Sequence, residues 1–134
     1  MIKFKGLPGF LAFVMLLVIS NQAGMSEAQA AELQRVPSEQ VCMVNDAFMG
    51  KKQIPIPVQG KLYYGCCKMC VSTLTNDARE RRAIDPVSGH RVDKATAVVG
   101  ALPDGNVFYF ENEANFKAYV THSDTKKSEK RIVE

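Results

Sequence analysis

The sequence predicts an α+β fold made of two small units, each a β-hairpin followed by a helix, packed together as one domain. Two runs rich in aromatic residues, Lys61 to Gly65 and Val107 to Phe110, have the composition of strands. Each run is followed by apolar residues at helical spacing. The chain has 134 residues, 46% of them hydrophobic, which is enough for one domain or two very small ones.

The first 30 residues have the organisation of a secretion signal. Lys3 and Lys5 precede an unbroken apolar run, Phe10 to Ile19, and Ala28-Gln29-Ala30 offers small residues to a signal peptidase. The apolar run is shorter than the roughly 20 residues that span a bilayer as a helix. We predict cleavage after Ala30 and a periplasmic protein with no membrane attachment beyond the export signal. An uncleaved N-terminal anchor is the alternative.

The first unit is predicted to span residues 41–83, after a polar segment, 31–40, that we expect to be flexible. Ile54 to Val58 can be extended, but its two prolines confine it to an edge or an irregular strand. Gln59-Gly60 turns the chain into the first aromatic strand. The next residues have helical spacing and would lie on one face of a helix that runs to about Arg82. The residues of this face are Cys67, Cys70, Val71, Leu74 and Ala78.

The second unit is predicted to span residues 84–121, opening with a turn at Asp85-Pro86. Ala95 to Leu102 and the second aromatic strand form a hairpin around Pro103-Asp104-Gly105-Asn106. A short helix follows from Asn112, as its N-cap, to Val120. We expect residues 122–134 to be a disordered charged tail.

A repeat relates the two units. At an offset of 45 residues, Leu62-Tyr63-Tyr64 falls on Val107-Phe108-Tyr109. Chance could produce the same pattern, since few residues are identical. The offset also places Cys66 on Glu111 and Cys70 on Asn115, and an offset of 46 places Cys42 on Ser88. If the repeat is real, one unit carries thiols and the other has lost them.

The four cysteines lie within 29 residues and suggest a metal site. Cys66 and Cys70 are one helical turn apart, and Cys67 and Cys70 have the C-x-x-C spacing of a metal knuckle. A helix N-terminus favours the thiolate, which is the form that binds metals. Cys42 can complete a set of three thiolates. Such a site accepts soft ions. The nearby methionines, Met43, Met49 and Met69, favour Cu(I), and Zn(II) is the alternative. These methionines could instead pack the core.

Two other interpretations of the cysteines stay open. An even number of cysteines in a small exported domain is typical of a disulfide framework, which would make the chain a structural module. Cys67-Lys68-Met69-Cys70 at a helix N-terminus is also the local pattern of a thiol–disulfide redox protein.

The spacing of Cys42, Cys66 and Cys70 resembles the TRASH domain, which has one cysteine followed some twenty residues later by C-x3-C at the start of a helix. Here 23 residues separate Cys42 from Cys66, slightly more than usual for that family. The resemblance implies a treble-clef-like setting and a role in heavy-metal sensing, trafficking or resistance. It also implies that Cys42, Cys66 and Cys70 are the ligands and that Cys67 is an addition.

The second unit resembles the related YHS domain. Asp85-Pro86-Val87-Ser88-Gly89-His90 is similar to that family's Asp-Pro-Val-Cys-Gly-Met opening, and Val107 to Phe110 is similar to its aromatic strand. Ser88, Glu111 and Asn115 stand where that family often has cysteines, so this unit is expected to be a scaffold. His90 could supply a nitrogen as a fourth metal ligand, or it could be a solvent-facing turn residue.

The remaining features favour binding over catalysis. The sequence has two histidines, no tryptophan and none of the common hydrolase, metalloprotease or phosphate-loop motifs. A net charge of +3 gives no reason to expect nucleic acid as a partner. We therefore expect a metal-binding protein, not an enzyme, that buffers a soft ion or passes it to a metal-efflux or metalloprotein-assembly partner.

Overall fold

Nine short strands and two helices are formed by residues 32–130, the part of the chain that the computed structural model describes. A single 3-10 turn, Ser38–Gln40, lies between the first two strands. The strands and helices are β1 (Gln34–Arg35), β2 (Val41–Cys42), β3 (Ala47–Phe48), β4 (Ile54–Val58), β5 (Lys61–Gly65), α1 (Lys68–Asn76), β6 (Arg82–Ile84), β7 (Arg91–Asp93), β8 (Val98–Ala101), β9 (Val107–Phe110) and α2 (Glu113–Lys130).

The strands form small antiparallel sheets, which confirms the mixed α+β class. Strands β2–β3, β4–β5 and β6–β7 pair two by two, and β1, β8 and β9 form a three-stranded sheet in that order. Two strand pairs and then a helix therefore occur twice along the chain. Backbone hydrogen bonds from Phe48 to Gly105 (2.8 Å) and from Val107 to Asp46 (3.1 Å) join the two halves.

Several elements match their predictions. Strands β4, β5 and β9 have the predicted bounds, and β4 pairs only with β5, which leaves its prolines free of a second ladder. The turn between β8 and β9 has Gly105 at a φ of +90°, a conformation that suits glycine. The Asn112 side chain accepts a 2.9 Å hydrogen bond from the Asn115 N–H, which confirms the N-cap of α2.

Helix α1 ends earlier than predicted, at Asn76 and not near Arg82. The Asp77 carboxylate accepts hydrogen bonds from the backbone N–H and the guanidinium of Arg79, so a local turn competes with further helix. The chain then forms β6, which pairs with β7. Arg81 folds back and donates a 2.6 Å hydrogen bond to the Leu74 carbonyl near the helix C-terminus.

Both ends of the described region also differ from expectation. Residues 32–40 are not a flexible segment, because β1 pairs with β8 and Leu33 is buried. Residues 122–130 continue helix α2 and do not form a disordered tail. The predicted signal peptide, residues 1–30, and the last four residues lie outside the described residues. In residues 32–130 no helix has the length and apolar character needed to cross a membrane.

A shared core positions the cysteines. Val41 and Met43 flank Cys42 and are both completely buried, as is Leu74 on α1. In the second half, the ring of Phe110 packs against those of Phe116 and Tyr119, with 5.5 Å between ring centroids in each pair. The side of α1 that carries Cys70 and Leu74 faces this core, so the metal-binding candidates lie where the core meets the surface.

Candidate metal centre

The structure brings Cys42, Cys66 and Cys70 together, as the sequence predicted. Cys42 ends β2, Cys66 follows β5, and Cys70 lies in the first turn of α1. The Sγ of Cys70 is 3.7 Å from that of Cys42 and 3.6 Å from that of Cys66. All three sulfurs lie within 4.8 Å of one another.

The two spacings to Cys70 are close to those of sulfurs around one metal ion. A metal–sulfur distance of about 2.3 Å places ligand sulfurs about 3.8 Å apart in a tetrahedral site and about 4.0 Å apart in a trigonal one. A disulfide would need about 2.05 Å, and the four cysteines are free. A soft ion could therefore bind all three sulfurs with only small side-chain adjustments.

Local contacts explain how the chain makes this corner. A Cβ on Gly65 would lie 2.8 Å from the Cβ of Cys70, so only glycine lets β5 end so close to α1. The Met43 N–H donates a 2.9 Å hydrogen bond to the Tyr64 carbonyl, which ties the Cys42 strand to β5. The three-sulfur cluster depends on both contacts, because they bring segments 28 residues apart to one point.

The site is buried on one side and open on the other. Cys42 is completely buried and Cys70 is 5% exposed, whereas Cys66 and Cys67 are exposed. The Asn45 side-chain amide lies 3.7 Å from the Cys66 sulfur at the open side. An ion held here would reach solvent through the Cys66 and Cys67 side.

The two buried cysteines differ in acidity. Burial acts to raise the pKa of Cys42, but hydrogen bonds from the backbone of Asn45, Val44 and Cys66 outweigh it and lower the pKa. Burial, together with hydrogen bonds to the other thiols, raises the pKa of Cys70 to about 12. Without metal, Cys42 is therefore the better thiolate of the pair, and a bound cation would have to displace the proton of Cys70.

The two exposed cysteines differ as well. Hydrogen bonds from the backbone and the side chain of Cys70 lower the pKa of Cys67, which is the N-cap of α1. The hydrogen bond with Cys42 raises the pKa of Cys66. Cys67 is therefore the more readily ionised thiol at the surface, consistent with its place at a helix N-terminus.

Lys94 stabilises the turn that follows Cys42, a role that the sequence did not reveal. Lys94 is only 3% exposed. Its ammonium donates hydrogen bonds to the Met43 carbonyl (2.7 Å) and to the Asp46 carboxylate (2.6 Å). It thereby fixes the turn after Cys42, in which Asp46 has a positive φ of 49°. No pattern in the sequence connects a lysine in the second half with this turn.

The second unit has a polar cluster at the positions that the offset relates to the cysteines. The buried Asp85 carboxylate accepts hydrogen bonds from the Ser88 and Glu111 N–H groups, at 3.2 and 2.7 Å, and from the Asn115 amide at 2.8 Å. Ser88, Glu111 and Asn115, which the offset relates to Cys42, Cys66 and Cys70, thus all bind the Asp85 carboxylate. Asp85 begins a turn, as predicted, but it also joins that turn to α2.

His90 and the methionines have other surroundings. The His90 Nδ1 lies 3.3 Å from the Glu111 carboxylate, and His90 is not part of the three-sulfur set. Met43 is a core residue, Met49 is partly exposed, and Met69 is 75% exposed in the first turn of α1. Cys67 lies beside the set, with its sulfur 3.4 Å from the Cys70 sulfur.

Comparison of the chain with known protein families, with curated proteins and with solved structures gives no match. The resemblance to the TRASH and YHS families, and the function that it implies, therefore stay predictions.

Proposed function

We propose that this protein binds a soft metal ion through the thiolates of Cys42, Cys66 and Cys70. Cu(I) is the favoured ion, and Zn(II) or another heavy metal is the alternative. The observation that carries the proposal is the convergence of three sulfurs within 4.8 Å, from a strand end, a turn and a helix. Three soft ligands of this kind select soft ions over Mg(II) or Ca(II).

The open side of the site favours a carrier over a purely structural metal site. Structural zinc sites usually have four protein ligands, whereas three ligands leave a position for an incoming group. Cys66, Cys67 and Met69 are exposed on the side from which such a group would arrive. The protein would thus buffer the ion, or deliver it to a metal-efflux or metalloprotein-assembly partner, in metal trafficking or resistance.

The proposed setting is a pair of treble-clef-like units of the TRASH and YHS type, in a protein exported to the periplasm. The repeated order of two strand pairs and a helix supports the pairing of units. The basic and apolar pattern of residues 1–30 supports export. The first unit would bind the ion, and the second, with Asp85 in place of a thiolate site, would serve as scaffold.

Metal uptake by the reduced protein tests this function. We expect one Cu(I) or Zn(II) per chain under anaerobic conditions, and we expect Cys42→Ser and Cys70→Ser each to abolish stoichiometric uptake. Ser88→Ala, at the counterpart of Cys42, is the matched control and should bind one ion. Absence of uptake by the unaltered protein, or full uptake by both cysteine variants, would refute the function.

A thiol–disulfide redox function is the second candidate, favoured by one contact. The sulfurs of Cys67 and Cys70 are 3.4 Å apart, and the pKa of the exposed Cys67 is lowered by hydrogen bonds from Cys70. This function predicts turnover of a disulfide substrate that is lost in Cys67→Ser and unchanged in Cys42→Ser. Metal binding at the three-sulfur set predicts a requirement for Cys42, so the two variants separate the candidates.

A further inference from the structure

Cys67 lies beside the three-sulfur set without belonging to it. Its Sγ is 3.4 Å from the Sγ of Cys70, which is closer than the sulfur of either Cys42 or Cys66. Among the described residues, the ligand atoms that all lie within 4.8 Å of one another are those of Cys42, Cys66 and Cys70. Cys70 therefore has an inner neighbour, Cys42, and an outer neighbour, Cys67.

The inner and outer neighbours differ in access to solvent. Cys42, the last residue of β2, is completely buried, so no group of another molecule can touch its sulfur. Cys67 is exposed, and so are Cys66 before it and Lys68 and Met69 after it. A partner can reach the outer sulfurs while the inner one stays covered.

Building on the proposed metal-binding function, we propose that Cys67 is an exchange ligand through which the ion enters and leaves the site. At rest the ion is bound by Cys42, Cys66 and Cys70. During release the Cys67 thiol gives its proton to water and bonds to the ion. The bond to Cys42 breaks, and the Cys42 thiolate takes up a proton from water.

In this exchange one metal–sulfur bond forms and another breaks, and no oxidation state changes. Cys66 and Cys70 stay bound throughout, so the ion keeps three sulfurs and moves from the buried side of Cys70 to its exposed side. The ion is then held by three sulfurs of one turn, two of them exposed. The partner is a protein that presents thiolate or thioether sulfurs, which remove the ion by further exchanges of the same kind.

The rate of copper transfer tests this role separately from binding. Protein loaded with one Cu(I) is mixed under anaerobic conditions with the chelator bathocuproine disulfonate, and formation of the coloured complex is followed by stopped flow. We expect Cys67→Ser to bind one Cu(I) with the affinity of the unaltered protein but to release it more slowly, by about tenfold or more. Serine is a good N-cap, so this variant should keep helix α1. Lys68→Ala, an exposed neighbour, is the matched control and should release copper at the normal rate.

Each outcome bears on one of the two proposals. Normal binding with slow release in Cys67→Ser supports the exchange role. Normal binding with an unchanged rate overturns it, and so does loss of stoichiometric binding in Cys67→Ser, which would make Cys67 a resting ligand. If the unaltered protein binds neither Cu(I) nor Zn(II), the metal-binding function itself fails.

Discussion

Lys94 donates a 2.7 Å hydrogen bond to the carbonyl of Met43, a residue 51 positions earlier and adjacent to Cys42. The same ammonium binds the Asp46 carboxylate at 2.6 Å. The Lys94 side chain, from the second half, therefore binds both ends of the turn that follows Cys42. The two halves are thus coupled at the site itself.

Replacing this lysine should weaken both folding and metal binding. Lys94→Met keeps the length of the side chain but leaves the Met43 carbonyl without its partner, at a cost of about 2 kcal/mol in the free energy of unfolding. Metal affinity should fall because the turn after Cys42 is less fixed. Urea denaturation and chelator competition measure the two effects.

Lys61→Met is the matched control, because Lys61 also binds a carboxylate, that of Asp93 at 2.7 Å, but at an exposed position. Exposed pairs contribute about 0–1 kcal/mol, so this variant should be nearly neutral for stability and neutral for metal affinity. Equal effects of the two variants on metal affinity would show that Lys94 does not position the site.

A methyl group at Gly65 should disturb the proposed metal site directly. In Gly65→Ala the new Cβ would lie 2.8 Å from the Cys70 Cβ and 3.2 Å from the Ile56 side chain, so α1 must shift away from β5. We expect a loss of about 1–3 kcal/mol in stability and a clear fall in metal affinity. Thermal melting and metal titration provide the two readouts.

Gly60→Ala separates strain from steric displacement. Gly60 has a φ of +76°, which alanine adopts at a cost, but its Cβ would meet nothing within 4 Å. This variant should lose stability while binding metal normally. If Gly65→Ala also bound metal normally, the close approach of β5 and Cys70 would not matter for the site.

The Asp85 cluster should stabilise the fold without metal. Removing the carboxylate in Asp85→Ala leaves partly buried donors of Glu111 and Asn115 without this acceptor, and we expect a loss of about 2 kcal/mol in the free energy of unfolding of the metal-free protein. Asp104→Ala, which removes an exposed turn carboxylate, should cost much less. A small effect of Asp85→Ala in denaturant titrations would mean that the second unit is held by packing alone.

The same carboxylate should make stability depend on acid pH. Burial acts to raise the pKa of Asp85, but hydrogen bonds from the Asn115 side chain and the Glu111, Val87 and Ser88 backbone outweigh it and lower the pKa below its ordinary value of 3.8. A lowered pKa in the folded state means that the ion stabilises the protein at neutral pH and that this contribution is lost as pH falls from about 4 downward.

Denaturation of the metal-free protein at a series of pH values measures this dependence. The free energy of unfolding should fall less steeply below pH 4 in Asp85→Asn than in the unaltered protein. Some slope should remain, because the pKa values of Asp77 and Asp93 are also lowered by their hydrogen bonds. Identical slopes in the two proteins would contradict the role of Asp85.

The predictable elements are those whose signals are local. Strand β5 and the turn at Gly105 follow from composition and turn chemistry, and the pairing of Cys66 with Cys70 follows from helical spacing. Cys42 was predicted to complete the set, although it is 28 residues from Cys70 and no local pattern places it there. Strand β5, the turn at Gly105 and the pair of Cys66 and Cys70 need no knowledge of distant contacts.

The missed elements depend on distant partners. Strand β1 consists of two exposed polar residues, Gln34 and Arg35, and exists because it pairs with β8 some 65 residues later. Strand β6 exists because it pairs with β7, which overrides a helical pattern that continues to Arg82. The contact of Lys94 with the Cys42 turn is of the same kind, since tertiary structure alone brings them together.

X-ray absorption spectroscopy of the metal-loaded protein tests the central claim most directly. With one Cu(I) bound, we predict a first shell of three sulfurs at about 2.3 Å, reduced by one sulfur in Cys42→Ser if any ion is still bound. A first shell dominated by nitrogen or oxygen, or one unchanged in Cys42→Ser, would contradict binding by Cys42, Cys66 and Cys70.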